Sequence, residues 1–214
     1  MLVHGGVLFL DEMGEFPSGV LDALRQPLEE GQVRVSRARG STTFPARFIL
    51  VGAMNPCPCG DGGAPGGCRC SAVSRERYAR RLSAPLLDRF DIAIRVHLPE
   101  HQELLDAVPG ESSSAVAERV DRARQRASER GVAVNAQIPP SLLGEVAPMN
   151  EAAAAVVEKK LRSGSLSARG LHRVQRLART LADLEDAGPL IRESHMQEAI
   201  LLRTQRALLL GGGE

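Results

Sequence analysis

The chain has 214 residues, a quarter of them charged, and its 27 basic and 26 acidic side chains leave a formal net charge of +1. So even a balance excludes a global electrostatic pull toward nucleic acid or a membrane surface; any basic surface must be local. Aromatic residues make up 3% and tryptophan is absent, which argues against the base-stacking platforms of single-strand binders.

The opening residues, Met1 to Gly6, lack the basic region and apolar core of a signal peptide. No apolar run approaches the length that spans a bilayer, so the expectation is a cytoplasmic protein with no membrane partner. Val7-Leu8-Phe9-Leu10 then runs straight into Asp11-Glu12. A short apolar run after two glycines predicts a strand buried on both faces of a parallel α/β sheet. Acids at the carboxyl end of such a strand stand where open α/β folds bind ligands. This is the form of a Walker B element, in which the first acid helps hold Mg²⁺ on a nucleotide and the second activates water. A strand ending in a solvated acidic turn has the same pattern.

Pro17 to Glu30 predicts one helix, with Val20, Leu21, Leu24 and Leu28 at helical spacing and Gly31 as its stop. Residues 32–37 and 41–44 alternate about a turn at Ala38-Arg39-Gly40, the pattern of a hairpin ended by Pro45. Arg34, Arg37 and Arg39 lie near its tip with no acid between them. They suit phosphate contacts, or a solvated edge that blocks aggregation. Residues 48–54 predict a second buried strand ending at Asn55-Pro56, where Asn55 either reaches a phosphate and its water or caps a turn.

All four cysteines fall between residues 57 and 70, as Cys57, Cys59, Cys68 and Cys70 around a glycine-rich stretch. The pairing suits a tetrahedral structural Zn²⁺, although C-x-C is tighter than the usual spacing; free reduced thiols are the alternative. Ala72 to Arg89 predicts a strongly basic helix, and residues 92–98 a third strand, with His97 at its end. Residues 101–114 read as a linker. Beyond it the chain predicts helices: 115–130, a short one after Pro139-Pro140, 150–162, 167–186 and 192–208. Ser167 caps the fourth of these, on which Leu171, Val174, Leu177, Ala178, Leu181 and Leu184 form an apolar face. Arg169, Arg173, Arg176 and Arg179 are expected on the other side. The glycine-rich end at 211–214 is expected to be disordered.

Taken together, Gly6 to Glu12, Leu21 to Glu29, Pro45 to Phe48, Ala53 to Pro56, Leu86 to Asp91 and Ser167 to Gly170 resemble a Mg-chelatase-like AAA+ ATPase of the competence-related ComM type, in the family's order. The resemblance implies an α/β fold: residues 1–100 as the latter part of a P-loop AAA+ core, then an all-α lid and C-terminal domain over 115–210. It implies ATP and Mg²⁺ as cofactors, Asp11 assisting Mg²⁺, and Glu12 as general base. It further implies Asn55 as sensor 1, Arg89 as the arginine finger reaching a neighbouring subunit's nucleotide, and Arg169 as sensor 2. The hairpin of Arg34, Arg37 and Arg39 matches one that projects into the pore of a hexameric homo-oligomer. The implied work is ATP-driven translocation on branched DNA.

One departure stands against it: G-x-x-x-x-G-K-[ST] occurs nowhere in these 214 residues. The family's phosphate-cradling loop precedes the Asp11-Glu12 strand, so this chain alone is expected neither to bind ATP tightly nor to hydrolyse it, and to be weakly stable. The alternatives are a non-catalytic fragment that binds DNA or assembles with intact subunits, and a Mg-chelatase ATPase subunit.

Overall fold

A computed structural model describes residues 3–38, 40–60, 68–96 and 110–204. The chain divides into two compact units, residues 1–98 and 99–204. No helix among the described residues is long and apolar enough to cross a membrane.

The first unit is α/β. Strand β1 (Val7–Leu10) pairs in parallel with β4 (Ile49–Gly52), with Val7 opposite Ile49 and Leu10 opposite Gly52. Between them come α1 (Ser18–Asp22), α2 (Arg25–Glu30), and an antiparallel hairpin of β2 (Gln32–Arg37) and β3 (Gly40–Pro45). The helix expected over 17–30 is therefore two. Pro27 has no N–H, and its ring would collide with the Ala23 carbonyl of a continuous helix. Helix α2 ends at Gly31 in the left-handed conformation (φ 65°). The helix expected over 72–89 divides for the same reason, into α3 (Ala72–Ala79) and α4 (Ala84–Leu87). Pro85 lies in the first turn of α4, where it is tolerated, and the Ser83 side chain accepts the Leu86 N–H.

Two further expectations are corrected. Neither β1 nor β4 is buried on both faces: Val7 and Phe9 of β1 are 57% and 58% exposed, and Ile49 and Val51 of β4 are 60% and 42% exposed. The core of this unit lies on the opposite face, where Met13, Leu21, Leu82, Leu86 and Leu87 pack with Leu10, Phe16 and Met54. Residues 92–96 form no strand, because a strand needs a hydrogen-bonded neighbour and they have none among the described residues. His97 lies outside the described residues.

The second unit is helical: α5 (Ser113–Glu129), α6 (Leu143–Val146), α7 (Glu151–Arg162), α8 (Ala168–Leu184) and α9 (Glu193–Thr204). Helix α5 begins inside the expected linker, because Ser112 caps it by accepting the Ala115 N–H. Asn150 and Ser167 cap α7 and α8 in the same way. Helix α8 is central, packed against α5 and α9. Its Leu171, Val174, Leu177, Ala178 and Leu181 join Ile138, Ile191, Met196 and Ile200 in the core.

The opposite side of α8 is not a uniformly polar face, as Arg179 shows. Arg179 and Asp183 are each 1% exposed and bond to each other at 3.0 Å. Arg179 also donates to the carbonyls of Gly188 and Pro189. Asp183 receives Arg130, just past the end of α5, through both oxygens and Asn135 at 2.8 Å. A second buried polar group, His195, accepts the Arg192 N–H on Nδ1, which leaves Nε2 to donate to Glu185.

Truncating one member of a buried ion pair leaves its partner desolvated and uncompensated. Asp183→Ala should therefore cost the second unit about 3–5 kcal/mol. Arg162→Ala, which removes an exposed pair with Glu158, should cost under about 1 kcal/mol. Urea unfolding of the 214-residue chain measures both, and equal losses would contradict the buried network.

Candidate active site and cysteine cluster

Because β1 and β4 run in parallel and in register, they end side by side. The ladder continues past both ends: the Ala53 N–H donates to the Leu10 carbonyl (2.9 Å), and the Met13 N–H to the Ala53 carbonyl (2.8 Å). Asp11-Glu12 and Asn55 thus emerge at one sheet edge, all three exposed. The carboxyl edge of a parallel sheet is where such folds place ligands.

The chain turns sharply at the acids. Glu12 is left-handed (φ 48°, ψ 42°), a conformation that costs a non-glycine residue roughly 1–2 kcal/mol. Its N–H donates to Asp11 Oδ1 at 2.9 Å, and its carbonyl accepts the Glu15 N–H at 2.8 Å. A short 3₁₀ turn over Met13–Glu15 follows. Met13 is buried against Gly52, where an added Cβ would stand 2.6 Å from Met13 Sδ. A Cβ on Gly14 would overlap the Tyr78 hydroxyl. Arg81 donates to the Gly14 carbonyl (2.6 Å) and to Glu15 (2.8 Å). Tyr78 belongs to α3 and Arg81 follows its end, so that region braces the acidic turn. Burial, reinforced by the Glu15 carboxylate, pushes the Tyr78 phenol up, and Cys57 and Glu12 act in the same direction. Gly14, Gly52, Tyr78 and Arg81 brace this turn, and sequence reasoning missed them. The one available signal was that Tyr78 is the only tyrosine in the chain.

The remaining candidates are placed differently. Arg89, just past α4, is 13% exposed, donates to the Pro85 carbonyl and pairs with Glu29 of α2. Arg34 and Arg37 lie on β2, opposite Thr43 and Gly40. Three residues apart on a strand, they point to opposite faces of the hairpin. Arg39 lies outside the described residues. Arg169 occupies the first turn of α8 in the second unit, and is exposed.

The four cysteines converge. Cys57 and Cys59 Sγ are 3.2 Å apart, Cys57 and Cys68 3.6 Å, and Cys59 and Cys68 3.9 Å. With Cys70 included, all four sulfurs lie within 4.8 Å of one another. Cys57 is buried, Cys59 exposed, and the other two half-buried. Two of the thiols are raised: a hydrogen bond with Cys59, then burial, pushes Cys70 up to about 12. Burial, then the Cys59 and Cys68 thiols, raises Cys57. A turn closed by the Gly60 N–H on the Cys57 carbonyl (3.1 Å) carries the first pair. That turn lies against Asn55, since a Cβ on Gly60 would be 3.8 Å from Asn55 Nδ2.

Residues 1–104 match the family magnesium chelatase, subunit ChlI, and residues 110–203 match its C-terminal family. The chain is 42% identical over 210 residues to an uncharacterized Escherichia coli protein, YifB, covering 98% of this chain and 41% of YifB. It is 41% identical over 209 residues to the Haemophilus influenzae competence protein ComM, covering 97% of this chain and 41% of ComM. The Salmonella typhimurium YifB is 40% identical over 210 residues, with the same coverage as its E. coli counterpart. The chain thus spans about two-fifths of the length of these relatives.

The strain at Glu12 has a measurable consequence. Glu12→Gly relieves the left-handed penalty and should leave the stability of the first unit equal or higher, by up to about 1 kcal/mol. Thermal unfolding of the two chains measures this. A clear loss of stability in the glycine variant would contradict a strained turn.

Proposed function

The chain belongs to the magnesium chelatase subunit ChlI family, and we propose that it is the latter part of an AAA+ ATPase of the ComM type. The observation that carries this reading is the parallel pairing of β1 with β4, which delivers an acid pair and an amide to one sheet edge.

The residues at that edge fit a magnesium nucleotide. Asp11 is an exposed hard oxygen donor at the end of a parallel strand, the ligand type Mg²⁺ takes. Bound there with ATP, Mg²⁺ would offset the charge on the phosphate oxygens. Glu12 takes a proton from the attacking water as general base, and its left-handed backbone sets the direction from which the carboxylate approaches. Asn55 orients the same water through its side-chain amide. Arg89 supplies the guanidinium that stabilises charge on a neighbouring subunit's γ-phosphoryl group; it must leave Glu29 to do so. By its match to the family, Arg169 takes the sensor 2 role. The cofactors are ATP and Mg²⁺, with a structural metal at the cysteine cluster, and the working form is a hexameric ring in the cytoplasm. ComM's description as a competence protein supports DNA as the substrate, with hydrolysis coupled to translocation and branch migration.

These 214 residues contain no phosphate-cradling loop of the G-x-x-x-x-G-K-[ST] form. The purified chain should therefore show no ATP turnover. A chimera joined to the preceding portion of YifB should hydrolyse ATP, and Glu12→Gln in that chimera should lower turnover by roughly 10²–10⁴-fold. Unchanged turnover in Glu12→Gln would overturn the assigned base, and hydrolysis by the chain alone would overturn its dependence on the missing loop.

The exposed hairpin favours a second, compatible role in DNA contact. Replacing Arg34 and Arg37 together by alanine should weaken duplex binding and flatten the dependence of log affinity on log salt by about 0.9 for each phosphate no longer neutralised. An unchanged salt slope would remove the hairpin from the interface.

A further inference from the structure

We propose that Cys57, Cys59, Cys68 and Cys70 form a tetrathiolate site for a single zinc ion, which clamps the strand end carrying Asn55 to the start of α3. The metal site stands on its own geometry, whereas its value to an ATPase site rests on the function proposed above.

Spacing of the sulfurs decides what they can hold. A tetrahedral ion with Zn–S bonds of about 2.3 Å needs sulfurs about 3.8 Å apart. The separations of 3.2, 3.6 and 3.9 Å surround that value, and the widest stays within 4.8 Å. Disulfide bonds need sulfurs at about 2.0 Å, so these thiols are not paired with one another. An iron–sulfur cluster spreads its thiolates over several irons and needs a wider frame than this one. Four soft donors in a tetrahedral array select zinc among the common divalent ions.

The tight C-x-C spacing does not prevent convergence. Gly60 is left-handed (φ 82°), and the turn it closes folds the first pair back on itself. The second pair reaches the first through Cys68, whose sulfur lies 3.6 Å from that of Cys57 and 3.9 Å from that of Cys59. Binding is balanced by proton release: four thiols lose four protons to solvent, and the complex carries a charge of 2−. Arg69 lies between two of the ligands. Cys70 directly precedes Ser71, the cap of α3, so the positive end of that helix also favours the thiolates.

The connections of the site explain the clamp. Cys57 follows Asn55 by two residues, and Gly60 packs against the Asn55 side chain. Cys70 leads into α3, whose Tyr78 lies against Gly14, while Arg81 beyond it holds the Gly14 carbonyl. The ion therefore joins the Asn55 segment to the same helix that braces the Glu12 turn. Without it, bringing the two cysteine pairs together costs loop-closure entropy, which the metal–sulfur bonds offset.

The test uses the 214-residue chain purified under reducing conditions. Elemental analysis should find about one zinc per chain, and cobalt exchange should give the intense visible bands of tetrahedral thiolate coordination. Hydrogen exchange at residues 11–16 and 53–60 should accelerate at least tenfold on chelation, while residues 168–184 stay unchanged. The quadruple Cys→Ser variant should lose both metal and the cobalt spectrum. Stoichiometric zinc retained by that variant would overturn the site, as would a metal-free wild-type chain after refolding with zinc. Bound zinc with no change in exchange at residues 11–16 and 53–60 would overturn the clamp. None of these readouts depends on ATP hydrolysis, so failure of the ATPase reading would be seen separately.

Discussion

Everything in the first unit depends on the register between β1 and β4. Parallel pairing is what makes two strand ends coincide, and here the ladder extends past the strands through Ala53 and Met13. A one-residue slip would exchange the faces of β4, lifting Leu50 from the half-buried side and pressing Ile49 into it. It would also move Asn55 along the edge relative to Glu12. The register is held by burial on one face only, since Val7, Phe9, Ile49 and Val51 remain largely exposed. That asymmetry explains why so much bracing is concentrated at the strand ends, where Met13 fills the space left by Gly52 and α3 presses on Gly14.

The two units solve the problem of stability differently. The first has a small apolar core and relies on polar clips: Arg81 on the Gly14 carbonyl, Ser83 on Asp22, and Arg89 on Glu29. The second surrounds one central helix, burying aliphatic side chains on one side of α8 and a charged network on the other. The Arg179–Asp183 pair fixes where α5 and the turn at Asn135 dock, because each remaining hydrogen-bonding position of Asp183 is taken by Arg130 or Asn135. For buried charges of this kind the attraction between partners is largely offset by the cost of taking them out of water, so the loss is large only when one partner is removed.

The sequence made legible what local chemistry determines. The apolar run before Asp11 signalled β1, the alternation about residues 38–40 signalled the hairpin, and the Ser167 cap marked the start of α8 closely. It was less informative where distant segments decide. Pro27 and Pro85 lie inside patterns whose apolar spacing continues across them, so periodicity joined helices that the backbone must break. Helical spacing places Arg179 away from the apolar stripe, but only the packing of α5 turns that side into interior. The alternation of Ile92, Ile94 and Val96 is genuine, yet no periodicity can supply a neighbouring strand. At the site, Asp11, Glu12, Asn55 and the cysteines were readable as residue types, whereas the support from Tyr78 and Arg81 is a tertiary fact more than sixty residues from the turn it holds.

The central claim is that the acid pair and Asn55 share one edge because two parallel strands end together. Amide-edited nuclear Overhauser spectroscopy on the isotopically labelled chain tests this most directly. The account predicts cross-strand contacts from the Met13 amide to Ala53 and Met54, and from the Ala53 amide to Leu10 and Asp11. Contacts that pair the start of one strand with the end of the other would make the strands antiparallel, place Glu12 and Asn55 at opposite ends of the sheet, and contradict the account.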